Sequence, residues 1–123
     1  VSNLWFLSIT LFSHTYVHFM LTIYIDAILN YYSPEIRRYW DMNNPSLSKI
    51  QKVIFHLWDV TSSSIVNIEN MNMENDSTIK VSESNTYVTR KMNLTKEKDY
   101  FVYFVFDSNN KIVETWGYEQ SSR

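Results

Sequence analysis

Along the chain the spacing of apolar residues changes period near the middle, from helical to alternating. Leu4 to Leu29 is almost uniformly apolar, yet its polar residues keep an order. His14, His18, Thr22 and Asp26 recur every four positions, which sets them along one stripe of a helix. Phe12, Tyr16, Phe19, Met20, Ile23 and Ala27 cover the remainder. The pattern predicts a helix over roughly Ser13 to Tyr32. It ends there because Ser33 precedes Pro34, and a residue before proline is pushed out of the α region. Ser33-Pro34-Glu35 reads as a second helix start, with a capping Ser, Pro at the first helical position and an acid in the first turn. That helix runs to Trp40 or Asp41, and Asp41 to Pro45 reads as a loop. Ser46 or Ser48 caps a third helix through Trp58 or Val60. Leu47, Ile50, Val53, Ile54, Leu57 and Trp58 hold one of its faces, with Lys49, Gln51 and Lys52 opposite.

After Thr61-Ser62-Ser63-Ser64 the period becomes two. Val66 and Ile68 alternate, then Met71 and Met73 alternate out of phase, so a bulge is expected near Glu69-Asn70. Asn75-Asp76-Ser77 is a turn, Thr78 to about Met92 a long polar strand region, and Thr95 to Asp99 a charged loop. Tyr100 to Phe106 is apolar on both faces, which places it centrally in its sheet. Asp107 to Asn110 forms a tight turn. Ile112, Glu114, Trp116 and Tyr118 are expected to share one face of a last strand. The order predicts an α+β fold with N-terminal helices packed on a curved antiparallel sheet, as a single domain over residues 1–123.

Composition narrows the reading. The chain has 123 residues, 45% of them hydrophobic and 16% aromatic, enough apolar surface to offset the entropy of ordering. A formal charge of -2 gives no electrostatic reason to expect nucleic acid. With no cysteine, disulfides and Cys-based zinc sites are excluded. The charge is uneven: from Val1 to Pro34 the one formally charged side chain is Asp26. Leu4 to Leu29 therefore also fits a bilayer span, although two histidines and an aspartate are unusual in one. Residues 1–12 also fit an extension or a targeting remnant, without the basic region or small-residue cleavage site of a signal peptide. Core helix, membrane contact by residues 4–29 and targeting remnant stay open. Localisation stays open with them, the cytoplasm being favoured.

The ending Phe101 to Glu119, FVYFVFDSNNKIVETWGYE, resembles the "F-x-F-D-x-x-G-K-I…Y/W" ending of the NTF2-like (SnoaL-like) superfamily. Tyr24 to Leu29, YIDAIL, stands where that family has "Y-x-x-A-L". The resemblance implies a cone of helices on a curved sheet, closed around a pocket. Asn110 replaces the family's usual Gly, which Asn tolerates because it visits the left-handed region. The family inserts a short strand pair between its second and third helices, often bearing a catalytic carboxylate in its enzymes. Asp41 to Ser46 is barely long enough for that pair, which argues against catalysis.

The chemistry-bearing residues allow several constellations. His14 and His18 face one way at i, i+4, and Asp26 and His56 complete a conceivable metal set. With no His-Glu-x-x-His signature the pair reads as a polar stripe, and neither a metal nor a cofactor is expected. An acid–base pair is the sharper idea. His56 or Asp59 on the third helix would face Tyr24 or Asp26 on the first, inside an aromatic pocket. His18, Trp58, Tyr103, Trp116 and Tyr118 are expected to line it. The resemblance implies two readings: a module binding an apolar small molecule or pairing with itself, or a cofactor-independent isomerase, dehydratase or cyclase with His56, Asp59 and Asp26 at work. A membrane-anchored or secreted interaction domain is a third. A homodimer would form through the sheet face, with Val102, Phe104 and Phe106 or their alternates as the patch. The triplets Asn75-Asp76-Ser77 and Asn93-Leu94-Thr95 fit N-glycosylation, as chance alone produces in an Asn-rich chain.

Overall fold

A computed structural model of the chain describes residues 25–120. His14, His18, Thr22 and Tyr24, the segment 1–12 and most of Leu4 to Leu29 lie outside the described residues. Residues 25–29 are helical (α1). They are followed by strands β1 (Arg38–Tyr39) and β2 (Met42–Asn43), helix α2 (Leu47–Val60), and strands β3 (Thr61–Asn75), β4 (Thr78–Thr89), β5 (Thr95–Phe106) and β6 (Ile112–Glu119). The strands form one curved six-stranded sheet in the order β2-β1-β6-β5-β4-β3. Among the described residues no helix is long and apolar enough to cross a membrane.

Helix α2 forms where its periodicity placed it. Ser46 is the cap: its backbone is extended and its hydroxyl accepts from the Lys49 amide at 3.1 Å, an arrangement that contributes about 1 kcal/mol. Ile50, Ile54 and Trp58, spaced by four, are buried against the concave side of the sheet. Their partners are Ile79, Val81, Val102, Phe104 and Ile112 from the strands and Ile25, Ile28, Tyr32, Ile36 and Tyr39 from the segment before α2.

Two local expectations give way to the sheet. The helix expected from Ser33 does not form. The Ser33 hydroxyl does accept from the Glu35 amide at 3.1 Å, but the next donors go elsewhere. The amides of Ser33, Arg37 and Trp40 donate to the carbonyls of Ile112, Val113 and Thr115 on β6. Pairing with a strand remote in sequence outweighs a good local helix start. Because β1 runs parallel to β6, the sheet is mixed rather than wholly antiparallel. The residues freed from a second helix also supply the short strand pair, at Arg38–Tyr39 and Met42–Asn43. The strand pair thus forms upstream of Ser46, and the shortness of Asp41 to Ser46 no longer weighs against catalysis.

The second correction is Thr95 to Asp99, which is strand, paired from Val88↔Thr95 to Ser84↔Asp99. No apolar alternation marks it, since every side chain from Thr95 to Asp99 is polar and all but Lys98 are exposed. Other expectations hold. Register in β3 shifts between Ile68 and Asn70, and β5 lies between β4 and β6. Asn110 closes the last turn at φ 60°, with the Asp107 carboxylate accepting from the amides of Asn109 and Lys111. The expected face of β6 splits, however. A register shift beside Val105 turns Ile112 into the core, and Glu114, Trp116 and Tyr118 point to the convex side.

Candidate functional site

The concave side of the sheet encloses a cavity of about 660 Å³, within the size range of small-molecule sites. Alternation along each strand decides what faces it. Beyond buried Ile79 and Val81, β4 presents Glu83, Asn85, Tyr87 and Thr89. Strand β5 adds Lys96, Tyr100, Val102 and Phe104, and β6 adds Thr115. From β3 come Thr61, Ser64 and Val66, and from α2 Ile54 and Leu57. Ile28, Tyr32 and Tyr39 close one side.

Within these mainly apolar walls the carboxylate is Glu83, 9% exposed. The Asn85 side-chain amide donates to its Oε1 at 3.3 Å. Tyr32 and Tyr39 meet edge to face with ring centroids 5.9 Å apart. Burial pushes the Tyr39 phenol up to about 12. It raises that of Tyr32 as well, with the nearby Tyr39 hydroxyl adding to the effect. Tyr100 is raised too, first by burial and then by Tyr87. At neutral pH these phenols are protonated and able to donate or accept hydrogen bonds.

Trp40 forms part of the rim. It occupies the turn between β1 and β2 at φ 55°, a left-handed conformation that costs a bulky residue about 1–2 kcal/mol. Four contacts hold it. Its amide donates to Thr115 O, and Arg38 Nε donates to its carbonyl at 2.9 Å. Its indole lies on Gly117 and meets Tyr100 edge-on at 6.5 Å.

The residues proposed from sequence fall elsewhere. His56 and Asp59 are exposed on α2, away from the face carrying Ile50, Ile54 and Trp58, and Asp26 is exposed on α1. None of the three lines the cavity. Trp58 is buried in the core without reaching the cavity wall. Tyr103 and Trp116 stack at 5.1 Å on the convex side, beside Tyr118, which is half exposed. His18 and Tyr24 lie outside the described residues. No group of three metal-binding side chains occurs among the described residues.

Of the two sets of residues expected at a sheet face, Val102 and Phe104 are core and Phe106 packs against it, while the alternates Phe101 and Tyr103 face outward. There Lys80 stands over the Phe101 ring at 4.2 Å and Arg38 over Trp116 at 5.1 Å.

Glu83 and Asn85 were not singled out from the sequence, although they had a signal: Ile79, Val81, Glu83, Asn85 and Tyr87 keep one alternating phase, so a carboxylate sits where the pattern expects the core.

Solved structures share this architecture. An NTF2-like protein of unknown function from Exiguobacterium sp. 255-15 superposes with a TM-score of 0.72 at 10% identity, covering 82% of this chain and 86% of that one. The fold is NTF2-like. A SnoaL-like polyketide cyclase from Agrobacterium tumefaciens has the NTF2-like arrangement at a TM-score of 0.64, 10% identity and 79% coverage of each chain. A protein of ketosteroid isomerase-like fold from Catenulispora acidiphila, solved in complex with trimethylamine, gives 0.65 at 7% identity, covering 76% of this chain and 73% of that one. No protein-family model and no curated sequence matches. In this NTF2-like fold the turn between β1 and β2 carries Trp40 and an exposed carboxylate, Asp41.

Proposed function

We propose that this domain binds a small, largely apolar molecule in the cavity, fixed by a hydrogen bond from the ligand to the Glu83–Asn85 pair. The observation that carries this reading is a cavity of about 660 Å³ with apolar and aromatic walls and a buried carboxylate. Such a composition supplies apolar contact for affinity and a few polar points for orientation. The neutral dye N-phenylnaphthylamine tests it, because its emission rises on entering an apolar site. Wild type should bind one molecule per chain. Val66→Trp, which fills the cavity from a half-buried position on β3, should abolish binding while keeping the circular dichroism spectrum. Absence of dye binding by wild type, or undiminished binding by the variant, would sink the reading.

Glu83 favours a second reading, an enzyme that abstracts a proton next to a carbonyl. A carboxylate held among apolar walls, with tyrosine hydroxyls nearby to polarise an oxygen, has the parts of a general base and its electrophilic partner. The neighbour called a polyketide cyclase is in keeping with such chemistry. The probe is exchange of the α-hydrogens of β-tetralone for deuterium, followed by NMR. If Glu83 is the base, wild type accelerates exchange and Glu83→Gln loses at least about tenfold of that rate, the lower end of what a positioned base supplies. Equal rates with the two proteins would exclude this role.

A further inference from the structure

The mouth of the cavity carries a charge asymmetry that the linear sequence conceals. Lys96-Glu97-Lys98-Asp99 is neutral as a string, but it is a strand, and a strand sends alternate side chains to opposite faces. Register with β4, Tyr87↔Lys96 and Asn85↔Lys98, turns both lysines to the concave side and Glu97 and Asp99 to the convex side. Lys98 is neutralised there by Glu119 at 3.3 Å. Lys96 is in no ion pair with a described residue, and neither is Lys91, from the turn between β4 and β5. Both line the mouth, and both are exposed.

The rest of this rim is apolar. Leu57, Val60, Met92 and Leu94 are all more than 40% exposed, and Trp40 is 37% exposed. They surround the opening into a cavity whose polar point, Glu83, lies beneath. Two unpaired cations on an apolar rim above an apolar cavity form an amphipathic receptor in a protein of net charge -2. The overall charge repels anions, so an anion held here is held by local geometry.

We infer that the ligand is an amphipathic anion, with an apolar body inside the cavity and a carboxylate, sulfonate or phosphate head at the mouth between Lys91 and Lys96. The inference rests on the binding function proposed above and adds the class of ligand. The two lysines at the mouth and the mainly apolar walls beneath them set the direction of entry: head outermost, apolar body inward.

A pair of dyes separates this inference from the reading on which it rests. Anilinonaphthalene sulfonate has the arylamine body of N-phenylnaphthylamine plus an anionic group. In titrations at low salt, the double variant Lys91→Ala/Lys96→Ala should bind the sulfonate about fivefold more weakly, the combined effect of two exposed charge contacts. Its loss of affinity for the neutral dye should be clearly smaller than for the sulfonate. The charge-matched control Lys49→Ala/Lys52→Ala, exposed on α2, should leave both affinities unchanged. The loss should shrink as salt is raised. If the sulfonate binds the mouth variant unchanged, or loses no more than with the control, or fails to bind wild type while the neutral dye binds, the mouth is not an anion site. Equal losses for both dyes would also overturn it. Failure of the neutral dye to bind wild type removes the cavity reading itself.

Discussion

Gly117→Ala is expected to lose about 1–3 kcal/mol of stability, the usual range for overpacking a filled interior, and to dislodge Trp40. Gly117 is the one glycine of the chain, and its backbone does not lie at positive φ. Conformational freedom is not what the position requires; space is. A Cβ there would stand 2.6 Å from the Phe101 carbonyl oxygen and 2.9 Å from the Trp40 ring. The first neighbour is backbone of the paired strand β5 and yields only if the two strands part. The second is a side chain already held in an unfavourable backbone conformation. Denaturant unfolding gives the stability, and quenching of tryptophan emission reports whether the indole has left its seat. Adding Trp40→Ala should restore part of the loss but not all, because the carbonyl contact remains. A Gly117→Ala protein with unchanged midpoint and unchanged quenching would show that the close approach is not real.

The second large effect is alkaline. Tyr39 in the unfolded chain ionises near 10, and in the fold burial pushes it to about 12. Between those values the unfolded chain has released a proton that the folded one retains, so stability falls as pH rises. Its contribution is fully present below pH 10 and is lost as pH passes the folded value. A difference of two units amounts to about 3 kcal/mol. Tyr32, raised in the same direction, adds to the fall. Unfolding curves collected from neutral pH upward, together with the ultraviolet absorbance of tyrosinate, check this. Tyr39→Phe should flatten the decline, since it removes the proton that links folding to pH. A folded-state titration of Tyr39 near 10, seen as a wild-type and Tyr39→Phe pair with equal pH slopes, would contradict the burial described.

What the sequence disclosed and what it hid follow one physical division. Features set by neighbours a few residues away were legible: the Ser46 cap and apolar face of α2, the phase slip at the bulge in β3, the Asn110 turn, and an aromatic strand that had to be central. Features set by contacts far along the chain were not. Ser33-Pro34-Glu35 carries every local sign of a helix, and only the carbonyls of β6, some eighty residues on, show why it is not one. The site suffered in the same way. His56 and Asp59 stood out because titratable groups near aromatics look like chemistry. Position on α2 relative to Ile50, Ile54 and Trp58 turns them to solvent. Glu83 looked like one more polar residue in a polar strand until β3 and β5 enclosed it. Trp40 and Gly117 make sense only as a pair, and nothing in either residue names the other.

The bulge in β3 bears on how copies of this protein avoid one another. Among the described residues β3 is paired on one side only and is the longest strand of the sheet, so its free side offers a row of amides and carbonyls to any extended chain. Such a row is a template for strand addition between molecules. The extra residue at Glu69 breaks the row near its middle, putting one half out of step with the other. A straight incoming strand can match only one half at a time, and it meets a carboxylate at the break. Bulges are one of the devices that blunt an edge strand, so a feature that first shows as a slip in hydrophobic phase also interrupts the template.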